Sequence, residues 1–304
     1  QNNMKQKIFS LISALLLSAG MLQAAVVNGT CGTNLSWSLN TKDSTLTIEG
    51  SGTMNNYTYS TMPWKNYTSY IVYVSLPEGL LSIGDYAFYY CTKLKTIIIP
   101  SSLTRIGNDA FTGLRQVENV YITDLTAWCN INFNSNSSNP LGGSSSVGDL
   151  YLNGEVITEL NLPENITKIA AHAFNGCHSI TKITISDNCN SIGEYAFCAC
   201  GNLQELVVGN GITIIKEDAF SFCPKLKTVT LFKTSRSSFT TNAEHSAPWE
   251  PSSFEHKTFW ASVMPSKNIL KSTLGEKLLQ ADTIRGMSGT WPSAIVLKYF
   301  SEYS

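Results

Sequence analysis

The sequence predicts a mainly β solenoid in which each coil of 23 residues supplies one short strand. The first observation is a recurring phrase with isoleucine, alanine, phenylalanine and a closing cysteine or leucine at fixed offsets. Its copies lie at 83–91, 106–114, 169–177, 192–200 and 215–223. The second observation is the period, because the phrase phenylalanines recur every 23 residues, at Phe88 and Phe111 and again at Phe174, Phe197 and Phe220. Equal spacing of one pattern is typical of stacked structural repeats.

A fixed period in the twenties is typical of leucine-rich-repeat solenoids, which have one strand in each repeat. An alternating apolar segment follows the phrase, most clearly at 94–100, and this alternation predicts a strand with one face directed inward. We expect these strands to stack in register, centred on Val74, Ile97, Val120, Leu160, Ile183, Leu206 and Val229. A single coil buries too little apolar surface to be stable, so neighbouring coils must share the core.

The residues before the repeats predict two further segments. Residues 1–25 begin with lysines, continue with an apolar run and end in small residues, which is the pattern of a signal peptide. Residues 29–70 lack the phrase and contain two alternating segments around a turn at 40–44, which predicts a β-hairpin. Because a solenoid end exposes its apolar cross-section, we interpret 29–70 as an N-terminal cap.

The solenoid itself is predicted to span 71–232, with an irregular insert at 123–159. Within this insert, Asn153-Gly154 between apolar residues predicts a hairpin turn. The repeat ends near residue 232, and 233–304 is predicted to be a C-terminal capping segment. Leucines at i, i+4 and i+8 predict a short helix at 267–281 within it.

The bulk composition excludes some classes of partner. The formal net charge is −1 and the isoelectric point is about 6.5, so the chain lacks the basic field that a nucleic-acid binder needs. The apolar run near the N-terminus is too short for a permanent anchor, so we expect no integral membrane span after removal of the signal peptide. The signal-peptide pattern itself predicts that the chain is exported.

Most of the eight cysteines occupy repeat positions that elsewhere hold apolar residues. Cys91, Cys177, Cys200 and Cys223 close the phrase, and Cys189 takes a leucine or isoleucine position. We expect buried free thiols at these positions, the alternatives being a metal site or a disulfide between adjacent coils. Ligands placed one per coil do not converge tetrahedrally, which disfavours the metal.

Two kinds of cysteine differ from this pattern. Cys198 aligns with Tyr89, Thr112, Asn175 and Ser221, so it is expected to be exposed. The sequence leaves the state of Cys31 and Cys129 open.

No constellation of catalytic residues is evident. The four histidines have no zinc-binding spacing, and His172 aligns with varied residues at a position expected to face solvent. No phosphate-binding glycine loop or nucleophile elbow is present. The sequence predicts a protein that is not an enzyme and that needs no cofactor or metal.

The phrases at 83–91 and 94–100 resemble the BspA-type leucine-rich repeats of bacterial surface antigens. Residues 29–54 with Pro63-Trp64 are similar to the segment often found ahead of those repeats, and 128–154 resembles a long unit common in the family. The resemblance covers roughly residues 29–232. It implies export to the cell surface or the extracellular space and a role in adhesion or protein binding, and it supplies no catalytic residues.

A candidate binding face follows from the strand pattern. The residues that flank each inward-facing position should point outward in two columns, a surface that solenoids commonly use for binding. These residues are Tyr73, Ser75, Thr96, Ile98, Asn119, Tyr121, Glu159, Asn161, Lys182, Thr184, Glu205, Val207, Thr228 and Thr230. Their mixed, nearly neutral chemistry favours an extracellular protein or glycan partner. The alternative function is a structural or spacer component of a cell-surface assembly.

Overall fold

Two units make up the chain, and they divide between Ile157 and Thr158. The structure, a computed structural model, describes residues 26–142, 148–232 and 296–300. The predicted signal peptide at 1–25 and the predicted helix at 267–281 lie outside these residues, so both stay predictions. No helix in the described ranges is long and apolar enough to cross a membrane.

Unit 1 contains a main sheet of eight strands with the spatial order β1-β2-β3-β5-β7-β9-β11-β12. The strands are β1 (Val26–Gly32), β2 (Leu35–Asn40), β3 (Thr45–Gly50), β5 (Tyr73–Ser75), β7 (Thr96–Ile98), β9 (Asn119–Ile122), β11 (Asp149–Leu152) and β12 (Glu155–Val156). From β3 to β11 neighbouring strands are parallel, as expected when one strand comes from each coil. Val74, Ile97 and Val120 pair in register, which confirms the stacking predicted for these coils.

The segment ahead of the repeats forms three strands where the sequence predicted two. The predicted first strand is divided by a turn between Gly32 and Leu35, so β1 and β2 pair antiparallel, and β2 pairs antiparallel with β3. Leu46 of β3 then pairs with Val74 of β5, which joins this segment to the repeat strands in one sheet. The capping role of residues 29–70 stays a prediction.

A side sheet of unit 1 has the order β10-β8-β6-β4, and two of its strands, β6 and β8, end at the first isoleucine of a phrase. Its strands are β4 (Gly52–Thr53), β6 (Leu80–Ile83), β8 (Arg105–Ile106) and β10 (Asn132–Phe133). Among the described residues of the unit, the helical elements are a 3-10 turn (Lys65–Tyr67), the α-helix α1 (Leu125–Asn130) and a second 3-10 turn (Asn136–Ser138). Asp124 begins α1 by accepting the Ala127 amide at 2.9 Å, because an N-cap carboxylate satisfies an otherwise unbonded helical N–H.

Unit 2 repeats the same plan. Its main sheet has the order β13-β15-β17-β19-β20 and its side sheet the order β14-β16-β18. The strands are β13 (Glu159–Asn161), β14 (Lys168–Ile169), β15 (Lys182–Ile185), β16 (Ser191–Ile192), β17 (Glu205–Val208), β18 (Ile214–Ile215), β19 (Thr228–Phe232) and β20 (Val296–Phe300). Leu160, Ile183, Leu206 and Val229 pair in register, as predicted.

The predicted single row of strands is wrong at one junction. The sequence placed Val120 beside Leu160, but Val120 pairs with Leu150 of β11. The insert supplies this strand because its own apolar alternation fits the register of β9, and β12 then turns back antiparallel. The turn between them has positive φ at Asn153 (56°) and Gly154 (90°), which confirms the predicted hairpin.

The C-terminal segment contributes a strand that the sequence did not predict. β20 pairs parallel with β19 over five positions, from Thr228↔Val296 to Phe232↔Phe300. Residues 286–304 carry no repeat phrase, so nothing in the period marked this strand.

The phrases at 83–91, 169–177 and 192–200 fold into turns whose amide groups alternate between two kinds of partner. The Phe174 amide donates to Ala196 O of the next coil at 2.7 Å, while the neighbouring Asn175 amide bonds within the turn to His172 O. This alternation requires a left-handed residue at the fourth and eighth positions. Such positive φ angles occur at Tyr86, Tyr90, Asp109, Gly113, His172, Gly176, Tyr195, Ala199, Asp218 and Phe222.

The core of each unit contains a column of stacked aromatic rings. In unit 2 the centroids of Phe174 and Phe197 are 5.1 Å apart and those of Phe197 and Phe220 are 5.2 Å apart, with interplanar angles of 5° and 9°. In unit 1 Phe88 stacks on Phe111 at 5.2 Å. These rings are almost completely buried, so the phrase phenylalanine provides much of the apolar contact between coils.

Candidate partner-binding face

The outward face of unit 1 is built by the alternation of side chains along its strands. Val74, Ile97, Val120 and Leu150 point inward and are at most 3% exposed, so their neighbours point to the opposite side of the sheet. Parallel register then places equivalent outward residues of adjacent coils side by side. Two rows result, one polar and one apolar.

The polar row consists of Thr96, Asn119 and Asp149, and Tyr73 continues it on β5. The Asn119 amide nitrogen donates to the Thr96 hydroxyl at 3.4 Å. This contact helps to explain why Thr96 is buried, although the sequence analysis placed it among the exposed residues of the face. Asn119, Asp149 and Tyr73 are half-exposed.

The apolar row consists of Ile98, Tyr121, Tyr151 and Val156, which lie on four adjacent strands. The ring centroids of Tyr121 and Tyr151 are 4.8 Å apart with an interplanar angle of 35°. Both rings are half-exposed, as is Ile98, and Val156 at the sheet edge is exposed. Apolar side chains held at a surface in this way are characteristic of interaction sites.

Burial raises the pKa of both tyrosines in this row. The nearby Tyr151 hydroxyl raises the pKa of Tyr121 further, and the Asp149 carboxylate does the same for Tyr151. Both phenols therefore stay protonated at neutral pH and can donate as well as accept hydrogen bonds.

Sequence reasoning missed Tyr151, Asp149 and Val156. Tyr151 lies 30 positions after Tyr121, its partner in the sheet, so the 23-residue period could not locate it. The signal was nevertheless present in the alternation of Leu150, Tyr151 and Leu152, which places Tyr151 on the outward face once the register with β9 is known.

Unit 2 has a face of its own with different chemistry. Lys182 and Glu205 form an ion pair at 3.3 Å, and both side chains are partly exposed. The outward residues of this face are Glu159, Asn161, Lys182, Thr184, Glu205, Val207, Thr228 and Thr230. Thr230 is buried, beside the added strand β20, where the sequence analysis expected exposure. The predicted single surface is thus described as two faces, and the Tyr121–Tyr151 pair lies on that of unit 1.

The five cysteines predicted to be buried free thiols are buried, and none of them forms a disulfide. The thiol of Cys200 donates to Phe174 O at 3.4 Å, and that of Cys223 donates to Phe197 O at 3.3 Å. A closing cysteine therefore fills a small apolar site and also bonds to the backbone of the preceding coil. Cys31 and Cys129, which the sequence left open, are also buried and form no disulfide.

The prediction that Cys198 is exposed is wrong, because its exposed fraction is 7%. Its equivalents Asn175 and Ser221 are also buried, whereas Tyr89 is half-exposed. A short side chain stays below the surface at this position, while a tyrosine ring extends beyond it. Cys198 is still more exposed than Cys177, Cys200 and Cys223, which have no exposed surface.

His172 is half-buried, although its position was expected to face solvent. Its ring stacks on Tyr195 of the next coil with centroids 5.5 Å apart and an interplanar angle of 4°. Burial lowers the pKa of His172, and Glu194 opposes this shift, so the imidazole is neutral at physiological pH. The described residues contain no group of three His, Cys, Asp or Glu side chains arranged to hold a metal ion.

Short in-register strands, one in each coil at a period in the twenties, are characteristic of the leucine-rich-repeat class of solenoid proteins. A family model described as the BspA type leucine rich repeat region matches residues 64–140 and 145–245 in six copies. The chain belongs to this family, which confirms the resemblance of its phrases.

Several solved structures are similar to parts of this chain. A leucine-rich repeat protein from Eubacterium ventriosum ATCC 27560 is 18% identical over 70% of this chain and 74% of its own, with a TM-score of 0.30. A leucine-rich repeat protein of T. pallidum is 21% identical over 67% and 72%, with a TM-score of 0.29. One from Bacteroides ovatus ATCC 8483 is 15% identical over 71% and 72%, with a TM-score of 0.27. No curated protein matches the chain.

Proposed function

We propose that this chain is an exported, non-enzymatic binding protein that holds an extracellular protein or glycan on the outward face of its strands. The observation that carries the proposal is the half-exposed Tyr121–Tyr151 pair within the apolar row of unit 1. Tyrosines are enriched among the residues that dominate binding energy at interfaces. Here their positions are set by β-strand pairing, so little conformational freedom is lost when a partner binds.

Membership of the BspA-type family supports a binding role, because leucine-rich-repeat proteins typically bind proteins. The same membership supports the non-enzymatic part of the proposal, since proteins with this repeat are generally not enzymes. Export to the cell surface or the extracellular space is supported by the signal-peptide pattern of residues 1–25.

The proposal can be tested with the chain from residue 26 immobilised on a biosensor. Solubilised extracellular matrix and cell-surface extracts are passed over the wild type and over a Tyr121→Ala/Tyr151→Ala variant. We expect saturable binding that the double substitution weakens roughly tenfold or more, the scale of a lost interface hot spot. Tyr59→Ala is the matched control, because Tyr59 is exposed and lies outside both rows.

The alternative spacer function makes a different prediction. A structural component would associate with further copies of itself and would bind none of the extracts. Sedimentation of the wild-type chain at increasing concentration measures that association. Absence of saturable binding in every extract, together with self-association, would overturn the binding proposal.

A further inference from the structure

The apolar row of unit 1 crosses the strands instead of running along one of them. Tyr121 pairs with Ile98 on one side and with Tyr151 on the other, and Tyr151 pairs with Val156 of the edge strand. Adjacent strands lie ~4.8 Å apart, so the four side chains form a strip of roughly 14 Å. Two tyrosine rings occupy its centre.

The polar row runs parallel to this strip. Asn119 precedes Tyr121 by two residues and Asp149 precedes Tyr151 by two, so each polar group lies about 7 Å from a ring along the strand. Asn119 uses one amide N–H for Thr96 and keeps its carbonyl oxygen and second N–H for a ligand. Among the described residues, no group donates a hydrogen bond to the Asp149 carboxylate.

The charge of the two rows limits the class of ligand. Asp149 is the one charged residue among the described members of the two rows, and no lysine or arginine belongs to either. The nearest basic residue in sequence to the polar row, Lys95, is engaged by Glu118 at 2.7 Å. A phosphorylated, sulfated or uronic-acid polymer would therefore meet a carboxylate without a compensating cation. A neutral ligand rich in hydroxyl groups avoids that repulsion and supplies donors to Asp149.

We propose that the two rows bind a neutral glycan chain lying across β7, β9, β11 and β12. The apolar faces of successive sugar rings would pack on Tyr121 and Tyr151, and their hydroxyls would bond to Asn119 and Asp149. The apolar strip with hydrogen-bonding groups along one side matches the apolar and hydroxyl-bearing parts of a pyranose. A peptide would instead gain most from main-chain pairing at a sheet edge. This inference rests on the proposed binding function and narrows it to one class of ligand.

The test is calorimetric titration of the chain from residue 26 with cellohexaose, maltohexaose, xylohexaose and mannohexaose. Hyaluronan hexasaccharide provides the anionic comparison. We expect at least one neutral oligosaccharide to bind and hyaluronan to bind more weakly. Tyr121→Ala/Tyr151→Ala should reduce that affinity roughly tenfold or more, and Asp149→Asn should reduce it by removing an acceptor.

Two controls make the result specific. Tyr121→Phe/Tyr151→Phe keeps both rings and should retain affinity within about threefold of the wild type, since an exposed hydroxyl contributes little beside the ring contact. Tyr59→Ala/Tyr70→Ala removes two exposed rings outside the rows, which are 69% and 56% exposed, and should change nothing. Unchanged circular dichroism and melting temperature show that each variant is folded. If the double alanine variant is unfolded, Asp149→Asn and single Tyr151→Ala replace it.

The inference is overturned if none of the four neutral oligosaccharides binds, or if binding survives the loss of both rings. A protein from the matrix extracts would also overturn the inference if it still binds after enzymatic removal of its glycans and if the double alanine substitution abolishes that binding. That last result would leave the proposed binding function intact. Loss of all binding in both experiments would remove the inference and the proposed function together.

Discussion

The indole N–H of Trp64 donates to the carbonyl oxygen of Ala87 at 2.7 Å in the buried interior of unit 1. In three later coils the equivalent alanine carbonyl, that of Ala110, Ala196 or Ala219, accepts the amide of the phenylalanine in the preceding phrase, as Ala110 does from Phe88 at 2.8 Å. No phrase precedes the coil of Ala87, so a side chain supplies the missing donor. Trp64 also stacks on Phe88 with centroids 5.9 Å apart, which begins the aromatic column.

We expect Trp64→Phe to lower the free energy of unfolding by about 1–3 kcal/mol, because it leaves the Ala87 carbonyl buried without this donor. Trp64→Ala should lower it by about 3–5 kcal/mol, since it also removes the ring from the column. Equilibrium unfolding in urea measures both changes.

Trp37→Phe is the control for this prediction. Trp37 is 5% exposed and packs edge-on against Trp64, and the described residues offer its indole N–H no acceptor. Trp37→Phe removes the same indole atoms but leaves no buried carbonyl without its donor. The free energy of unfolding should therefore fall by less than for Trp64→Phe. Equal losses would show that the hydrogen bond to Ala87 contributes nothing.

The eighth phrase position gives a second prediction, because it holds Gly176 in one coil and Ala199 in the next, both with positive φ (76° and 58°). Left-handed backbone costs about 1–2 kcal/mol for a residue with a Cβ. Gly176→Ala should therefore lower the free energy of unfolding by about 1 kcal/mol. Ala199→Gly relieves this strain and should raise the free energy of unfolding. The gain should be only a few tenths to about 1 kcal/mol, because the greater entropy of glycine in the unfolded chain offsets part of it.

Ala170→Gly provides the comparison, since Ala170 is not among the residues with positive φ. There the same exchange relieves no strain and should lower stability by about 0.5–1 kcal/mol. Urea unfolding of the three variants under one set of conditions separates the two effects. A loss of stability in Ala199→Gly as large as in Ala170→Gly would contradict the prediction.

The phrase glycine gives a third prediction, and its cause is close approach between coils. A Cβ at Gly193 would lie 2.3 Å from the Ala171 nitrogen and 2.6 Å from the Ala170 carbonyl carbon. Backbone atoms cannot move aside without separating the coils, so Gly193→Ala should lower the free energy of unfolding by about 1–3 kcal/mol. Urea unfolding and backbone hydrogen exchange in β16 and β18 measure the effect.

Gly201→Ala is the matched control. A Cβ at Gly201 would lie 3.2 Å from Nδ1 of His178, and this side chain can shift. We expect a change of less than about 1 kcal/mol there. If the two variants lose the same stability, close approach is not the reason for glycine in the phrase.

Much of the fold was predictable because the 23-residue period repeats the same local chemistry. Inward residues such as Ile97 and Ile183 are recognised by alternation, and the phrase marks where each coil turns. The prediction failed where the period does not apply. β11 pairs with β9 although its residues lie 30 positions further along the chain and not 23. β20 pairs with β19 from a distant part of the sequence that contains no phrase.

The candidate site was predictable only in part for the same reason. Tyr73 and Tyr121 follow from the repeat register, but the partner of Tyr121 is Tyr151, which belongs to a hairpin. Which strand lies beside β9 is decided by tertiary pairing of the insert, and a single sequence does not specify that pairing. The aromatic pair therefore becomes visible only when β11 is placed.

The last prediction concerns the order in which thiols react. Cys198 is 7% exposed, whereas Cys177, Cys200 and Cys223 have no exposed surface. Burial raises the pKa of Cys198 to about 12, and the neighbouring Cys223 thiol together with burial raises the pKa of Cys200. Burial should make native labelling slow at pH 8 at all four sites, with Cys198 first. The thiolate is the reactive form, so the raised pKa slows Cys198 and Cys200 further. The labelling rate of Cys198 should keep rising as the pH increases above 9, because its pKa is raised.

Iodoacetamide labelling followed by peptide mass spectrometry measures this order. Tyr59→Cys supplies a reactive reference thiol at a position that is 69% exposed in the wild type, and it should be modified before all four native cysteines. In urea the four should react at similar rates, because unfolding removes the differences in burial. The thiols of Cys200 and Cys223 donate to carbonyl groups of the preceding coil, so they can react only after the coils separate. Modification of either one before Cys198 in the folded protein would therefore contradict the predicted order.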